Sequence, residues 1–93
     1  MDFLELTNKV ARLAKPAHAE FYPLESIHDS FTDGNLDSMD VLILCMYMAE
    51  LYGVSDEASK TMQPKSPNEL LLFLSDHGTK QPSSVDEALE SIK

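Results

Sequence analysis

Ser38 is the side chain with the clearest chemical potential, because its neighbours place it at the start of a helix. Gly34 interrupts regular structure ahead of it, and an apolar run from Val41 to Tyr52 follows. Asp37 can cap this helix by accepting the free backbone N–H of Asp40. Ser38 then occupies the first helical position, beside unpaired amides and the positive end of the helix dipole. A phosphate joined to this serine would lie where the backbone favours an anion.

The segment Asp37-Ser38-Met39-Asp40, entered through Leu36, resembles the phosphopantetheine attachment motif of acyl carrier proteins. Met39 stands where family members usually have leucine, a change that conserves side-chain volume. The resemblance in size, acidity and helix order covers roughly residues 1–78. It implies that Ser38 carries the covalent phosphopantetheine and that Asp37 caps and orients the helix start.

The resemblance also implies a function without catalysis by the chain itself. A phosphopantetheinyl transferase would move the arm from coenzyme A to Ser38, using magnesium. The thiol of the arm would carry acyl groups as thioesters between enzymes of fatty acid, polyketide or related lipid and secondary metabolism. This exogenous thiol would explain why the chain needs no reactive cysteine of its own.

Two alternatives remain open from the sequence. One is an aminoacyl, peptidyl or D-alanyl carrier, since no pair of glycines precedes the motif. The other is an interaction module that keeps the carrier fold but receives no arm. An intact Ser38 favours a modified carrier over the second alternative.

The helix after Ser38 divides into two faces on a helical wheel. We assign one face to the core: Val41, Leu42, Cys45, Met48, Ala49 and Tyr52. The opposite face, with Met46 at its margin, is predicted to meet partner enzymes: Met39, Asp40, Ile43, Met46, Tyr47 and Glu50. Carriers of fatty acid synthesis usually line this side with carboxylates, whereas here Ile43 and Tyr47 stand between Asp40 and Glu50. This arrangement predicts an apolar docking centre with a thin acidic rim.

The formal charge of −9 is concentrated in one part of the chain. No Lys or Arg occurs between Lys15 and Lys60, a span that holds nine of the 16 acidic residues. Such a field repels nucleic acid and anionic lipid, and it steers basic protein surfaces toward Ser38. We therefore expect partners with basic or apolar docking surfaces, and no nucleic acid.

Other chemistries fit the sequence less well. Ser38 lacks the Gly-x-Ser-x-Gly pattern of a nucleophile elbow, and the three histidines are scattered, so we expect no catalytic residue. Residues 33–37 resemble half of a calcium loop, but Ser38 and Leu44 replace the required glycine and glutamate. We therefore expect no metal site. Cys45 is interpreted as a buried apolar residue, and a single cysteine suits a reducing cytoplasm.

Periodicity and capping residues predict an all-α fold, an antiparallel four-helix bundle with a short third helix. Helices are expected over residues 2–15 and 38–52, from about 56 to 61, and from Ser66 to His77. The long connection over residues 16–36 requires apolar anchors: Phe21, Leu24, Ile27 and Phe31. Residues 1–78 are predicted to form the bundle, and residues 79–93 a linker with a further short helix or tail. We expect a monomer without a membrane span.

Overall fold

Five α-helices and one 3-10 turn make up the regular structure of residues 2–92, which the computed structural model describes. The helices are α1 (Phe3–Ala14), α2 (Ser38–Leu51), α3 (Asp56–Ser59), α4 (Pro67–His77) and α5 (Val85–Ser91), and no strand occurs in the described range. The all-α prediction is confirmed. No helix within residues 2–92 has the length and apolar character needed to cross a membrane.

Each helix begins at a side-chain cap that the sequence contains. The five capping residues accept the backbone N–H three positions later: Asp2, Asp37, Ser55, Ser66 and Ser84. The sequence Ser66-Pro67-Asn68-Glu69 is typical of a capping box at α4, but the box is incomplete, because Glu69 accepts the N–H of Lys65 (3.2 Å) rather than that of Ser66. These caps satisfy N–H groups that lack helical partners, which is why the helix starts were predictable.

The core lies between α1, α2 and α4, and α5 extends it. Each of the three longer helices contributes two leucine, valine or methionine side chains that are essentially inaccessible: Leu6, Val10, Leu44, Met48, Leu70 and Leu74. α5 contacts α1 and buries Val85 and Ala88. The C-terminal segment is therefore a docked helix that shares the core.

The long connection between α1 and α2 is fixed along its length. Leu24 and Phe31 are buried, while Phe21 and Ile27 are half-buried, as the anchoring prediction required. The Asn8 side chain pairs with the backbone of Leu24 in both directions, at 2.9 and 2.8 Å. The loop therefore reaches the start of α2 along a defined path.

The chain reverses its direction ahead of α2 at Asn35, one residue after Gly34, the position at which the sequence predicts the interruption. Asn35 has a φ of 65°, a left-handed conformation that asparagine tolerates. Gly34 ends the 3-10 turn and is buried, and a Cβ there would lie 3.0 Å from the carbonyl oxygen of Tyr22. The glycine therefore allows two backbone segments to approach, and the asparagine reverses the chain.

Candidate functional site

Ser38 is exposed at the first position of α2, as predicted. The Asp37 carboxylate accepts the N–H of Asp40 at 2.8 Å, and the Asp40 carboxylate accepts the N–H of Asp37 at 3.1 Å. The N–H groups of Ser38 and Met39 donate to no group among the described residues. The helix start thus presents a hydroxyl beside two free amides, an arrangement that favours an anion on the serine.

Asp40 lies inside the protein, so its predicted position on the outward face of α2 is wrong. Its carboxylate receives a 2.8 Å hydrogen bond from the Lys15 ammonium group, and the two side chains are only 8% and 7% exposed. Burial alone would raise the pKa of Asp40, but hydrogen bonds from Lys15 and the Asp37 backbone lower it below its usual value. Asp40 therefore supports the turn before α2 and is too buried to form a docking rim.

Three exposed apolar side chains form a row along α2, which we call the α2 stripe: Met39, Leu42 and Met46. They are 61%, 54% and 62% exposed, and their 3-4 spacing places them on one side of the helix. Glu50, also exposed, follows one turn later. Exposure of Met39, Met46 and Glu50 agrees with the predicted outward face, whereas the assignment of Leu42 to the core is wrong.

Ile43 and Tyr47 do not form an exposed apolar centre. Both side chains are half-buried and pack against the core. The buried positions of α2 also include Leu44 and Leu51, which the helical wheel did not assign to the core. The predicted faces are therefore rotated relative to the observed ones.

The rotation has a simple cause in the composition of α2. This helix is apolar at every position except Ser38, Asp40 and Glu50, so hydrophobic periodicity marks no preferred side. Two of these three polar residues lie near its start, where Asp40 is buried because Lys15 pairs with it. Contacts with α1 and α4, rather than periodicity, decide which side chains enter the core.

A groove of about 780 Å³ begins at Ser38 and runs between α2 and the segment that connects α3 to α4. We call it the Ser38 groove. Its α2 side carries Met39, Val41, Leu42 and Cys45, and its opposite side carries Met62 and Pro64. The volume falls within the range of small-molecule binding sites, and the lining is mostly apolar, as such sites usually are.

The Ser38 groove also contains two lysines and one cysteine. Lys60 and Lys65 lie along its edge, and neither forms an ion pair with the residues that the structure describes. Cys45 is buried in its wall, as predicted, and burial raises the pKa of this thiol to about 11. The thiol is therefore protonated near neutral pH, which makes it a poor nucleophile.

The sequence indicated the exposed serine at the start of α2 and its cap, but not the surroundings of the site. Lys15 follows the end of α1, and its partners Asn35 and Asp40 lie 20 and 25 residues away in the sequence, so no local pattern connects them. The absence of Lys and Arg from residues 16–59 was the one available signal, since it leaves no nearer cation for a buried carboxylate. The Ser38 groove depends on the spacing of two segments, which the sequence does not specify.

Three comparisons with known proteins give no match: none to a protein-family model, none to a curated protein and none to a solved structure.

Proposed function

We propose that this chain is an acyl carrier protein whose Ser38 accepts a phosphopantetheine arm. The main support is the placement of Ser38: an exposed hydroxyl at the first turn of a 14-residue helix, capped by Asp37, with free amides beside it. This geometry lets a transferase reach the hydroxyl, and the backbone stabilises the phosphate of the product. The resemblance of the segment from Leu36 to Asp40 to the carrier motif points to the same role.

The fold is compatible with this proposal. We propose that α1, α2, the short α3 and α4 form the antiparallel bundle of acyl-carrier type, with α5 as an addition to it. In this arrangement the long connection from Lys15 to Asp37 presents the serine at the start of α2. The proposed bundle ends near Gly78, where α4 terminates.

The proposed modification needs only a nucleophile from this chain. The Ser38 oxygen would form a bond to phosphorus as the bond from that phosphorus to the nucleotide part of coenzyme A breaks. The serine proton would pass to a base on the transferase, which also binds magnesium. When attached, the arm supplies the thiol that holds an acyl group as a thioester.

The lining of the Ser38 groove favours an apolar cargo. It opens beside the attachment serine and is lined mainly by aliphatic and thioether side chains. Burying an acyl chain there would gain about 0.8 kcal/mol for each buried CH₂ group. Met39 and Leu42 of the α2 stripe also line this groove, and the stripe offers partner enzymes an apolar surface next to the serine.

Intact mass spectrometry tests the proposal directly. Incubation with coenzyme A and a promiscuous phosphopantetheinyl transferase should add one phosphopantetheine to the unsubstituted chain. Ser38→Ala should abolish the addition, whereas Ser75→Ala, at an exposed position of α4, should leave it unchanged. Modification that persists in Ser38→Ala would show that another residue is the attachment site.

The same experiment addresses the alternatives. A chain that several transferases leave unmodified would favour an interaction module without an arm, for which the α2 stripe would be the binding surface. If the arm is added, loading with amino acids rather than acyl groups would indicate an aminoacyl, peptidyl or D-alanyl carrier. Competition between activated acyl and aminoacyl donors would separate these two classes.

A further inference from the structure

Lys15 extends from the end of α1 into the turn that precedes α2. Its ammonium group donates to the carbonyl oxygen of Asn35 at 2.7 Å and to the Asp40 carboxylate at 2.8 Å. Only 7% of its side chain is exposed. Lysine is rarely buried to this degree unless it is paired, so this contact is a specific feature of the turn.

The two hydrogen bonds from Lys15 close the turn on both sides of Ser38. Asn35 lies three residues before the serine and Asp40 two residues after it. The same Asp40 oxygen that Lys15 contacts also accepts the N–H of Asp37. The Lys15 ammonium group therefore connects Asn35, where the turn begins, to Asp40. Through Asp40 it is also connected to Asp37, the cap of α2.

Lys15 also changes the electrostatics around the serine. Asp37 and Asp40 flank Ser38, and both carboxylates would repel a phosphate placed there. The ammonium group lies against one of them and compensates its charge in a region shielded from water. The helix start can therefore keep its charged capping box while it accepts an anion.

From this geometry we infer that Lys15 is a positioning residue for the modification of Ser38, an inference that rests on the carrier function proposed above. Lys15 holds the turn from Asn35 to Asp40 in the conformation that presents the serine, and it offsets the Asp40 charge behind it. It has no contact with the reacting atoms and acts through Asp40 and Asn35.

Two substitutions separate this role from general stability. Lys15→Met keeps the aliphatic stem but removes the charge and the donors, and Lys15→Arg keeps a buried cation. Val85→Ala serves as the control, because it removes buried volume from α5. α5 lies near the C-terminal end of α2, whereas Ser38 lies at the N-terminal end of the same helix. Unfolding in urea establishes how much stability each variant loses.

Amide hydrogen exchange gives a readout that does not depend on a transferase. In Lys15→Met, we expect the N–H groups of Asp37 and Asp40 to exchange at least about tenfold faster, a change typical of local opening. The N–H groups of Leu44 and Met48, further along α2, should keep their protection relative to the global stability. Lys15→Arg should restore part of the protection, limited by the different shape of the guanidinium group.

Transfer kinetics give the second readout. With coenzyme A and a phosphopantetheinyl transferase, kcat for Lys15→Met should fall by about ten- to a hundredfold, as expected for a misplaced reacting group. KM for the carrier should change little, because Lys15 is buried and touches no partner. Lys15→Arg should recover a substantial part of kcat, and Val85→Ala should retain the kcat of the unsubstituted chain.

Several results would overturn the inference. Unchanged exchange at Asp37 and Asp40 in Lys15→Met would show that the turn does not need the ammonium group. Lost protection with unchanged kcat would show that the order of the turn is irrelevant to modification, and an equal loss of kcat in Val85→Ala would assign the effect to stability. An unsubstituted chain that no transferase modifies would instead contradict the carrier function, and exchange would still decide whether Lys15 fixes the turn.

Discussion

Asp37 and Asp40 each accept the other's backbone N–H, at 2.8 and 3.1 Å, so Ser38 lies inside a reciprocal pair of carboxylate caps. Such a capping box satisfies two N–H groups at the helix start. In this chain both members are acidic, and the second is buried against Lys15. The stability of the helix start should therefore depend on the ionisation of Asp40.

Asp40→Asn tests this dependence through pH. The folded protein holds the pKa of Asp40 below its usual value, so its stabilisation is fully present above about pH 5 and declines as the pH falls further. At pH 7 the variant should lose about 1 to 3 kcal/mol of unfolding free energy, as expected for a weakened hydrogen bond to a charged group. Urea unfolding between pH 2.5 and pH 7 measures both chains.

Other acidic residues also titrate in this range, so the informative quantity is the difference in unfolding free energy between the unsubstituted chain and Asp40→Asn. It should be constant from pH 7 to about pH 5 and should shrink below about pH 4, where Asp40 becomes protonated in the unfolded chain before it does so in the folded one. A difference of equal size at pH 3 and pH 7 would show that the charge of Asp40 is not the stabilising feature.

Cys45 provides a test of the wall of the Ser38 groove. Burial raises the pKa of this thiol from 9.0 to about 11, which lowers the thiolate fraction near pH 8 by roughly a hundredfold. Labelling by a maleimide or disulfide reagent at pH 8 should therefore be at least about a hundredfold slower in the native protein than in urea. Native labelling within a few-fold of the rate in urea would mean that the groove wall opens readily or that α2 is oriented differently.

The sequence predicted the helices well because their signals are local. A cap and its N–H partner lie within three residues of each other, as with Ser66 and Glu69 at the start of α4. The anchors of the long connection were also recognisable, since apolar side chains such as Leu24 and Phe31 have few alternatives to burial in a polar loop. These features require no knowledge of how the helices pack.

The orientation of α2 was not predictable in the same way. Its near-continuous apolar sequence fits several rotations about the helix axis, and Leu42 and Leu44 are equally hydrophobic. Leu44 is buried because it faces the other helices, while Leu42 faces the groove and the solvent. Likewise, a buried Asp40 is costly unless a cation reaches it, and the approach of Lys15 is a product of the tertiary fold.

The corrected orientation changes which residue of α2 should contact partners. On the helical wheel, Tyr47 was the expected anchor of an apolar docking centre, but its side chain is half-buried and packs against the core. Leu42 belongs to the α2 stripe, borders the Ser38 groove and is 54% exposed. A large apolar side chain at this place can contact an enzyme that approaches the serine, whereas Tyr47 contributes to the fold.

Three alanine substitutions distinguish these roles. Leu42→Ala should change the unfolding free energy by no more than about 0.5 kcal/mol, because the side chain is exposed. It should lower kcat/KM for transfer of the arm by an amount equal to about 1 to 3 kcal/mol, a typical effect at the centre of an interface. Tyr47→Ala should lose about 1 to 3 kcal/mol of stability through lost packing. Leu72→Ala, which removes a 58% exposed leucine from α4, should alter neither quantity.

Urea unfolding and transfer kinetics, measured on the three variants and on the unsubstituted protein as reference, decide which side chain contacts the transferase. A domain of ordinary stability stays folded after a loss of about 1 to 3 kcal/mol. The transfer rate of Tyr47→Ala can therefore be measured on folded protein at low temperature and compared with that of Leu42→Ala. If Tyr47→Ala keeps full stability and alone weakens transfer, then Tyr47 is the docking residue and the α2 stripe is an incidental apolar surface. If Leu42→Ala alone weakens transfer, the stripe beside Ser38 is the surface that the transferase contacts.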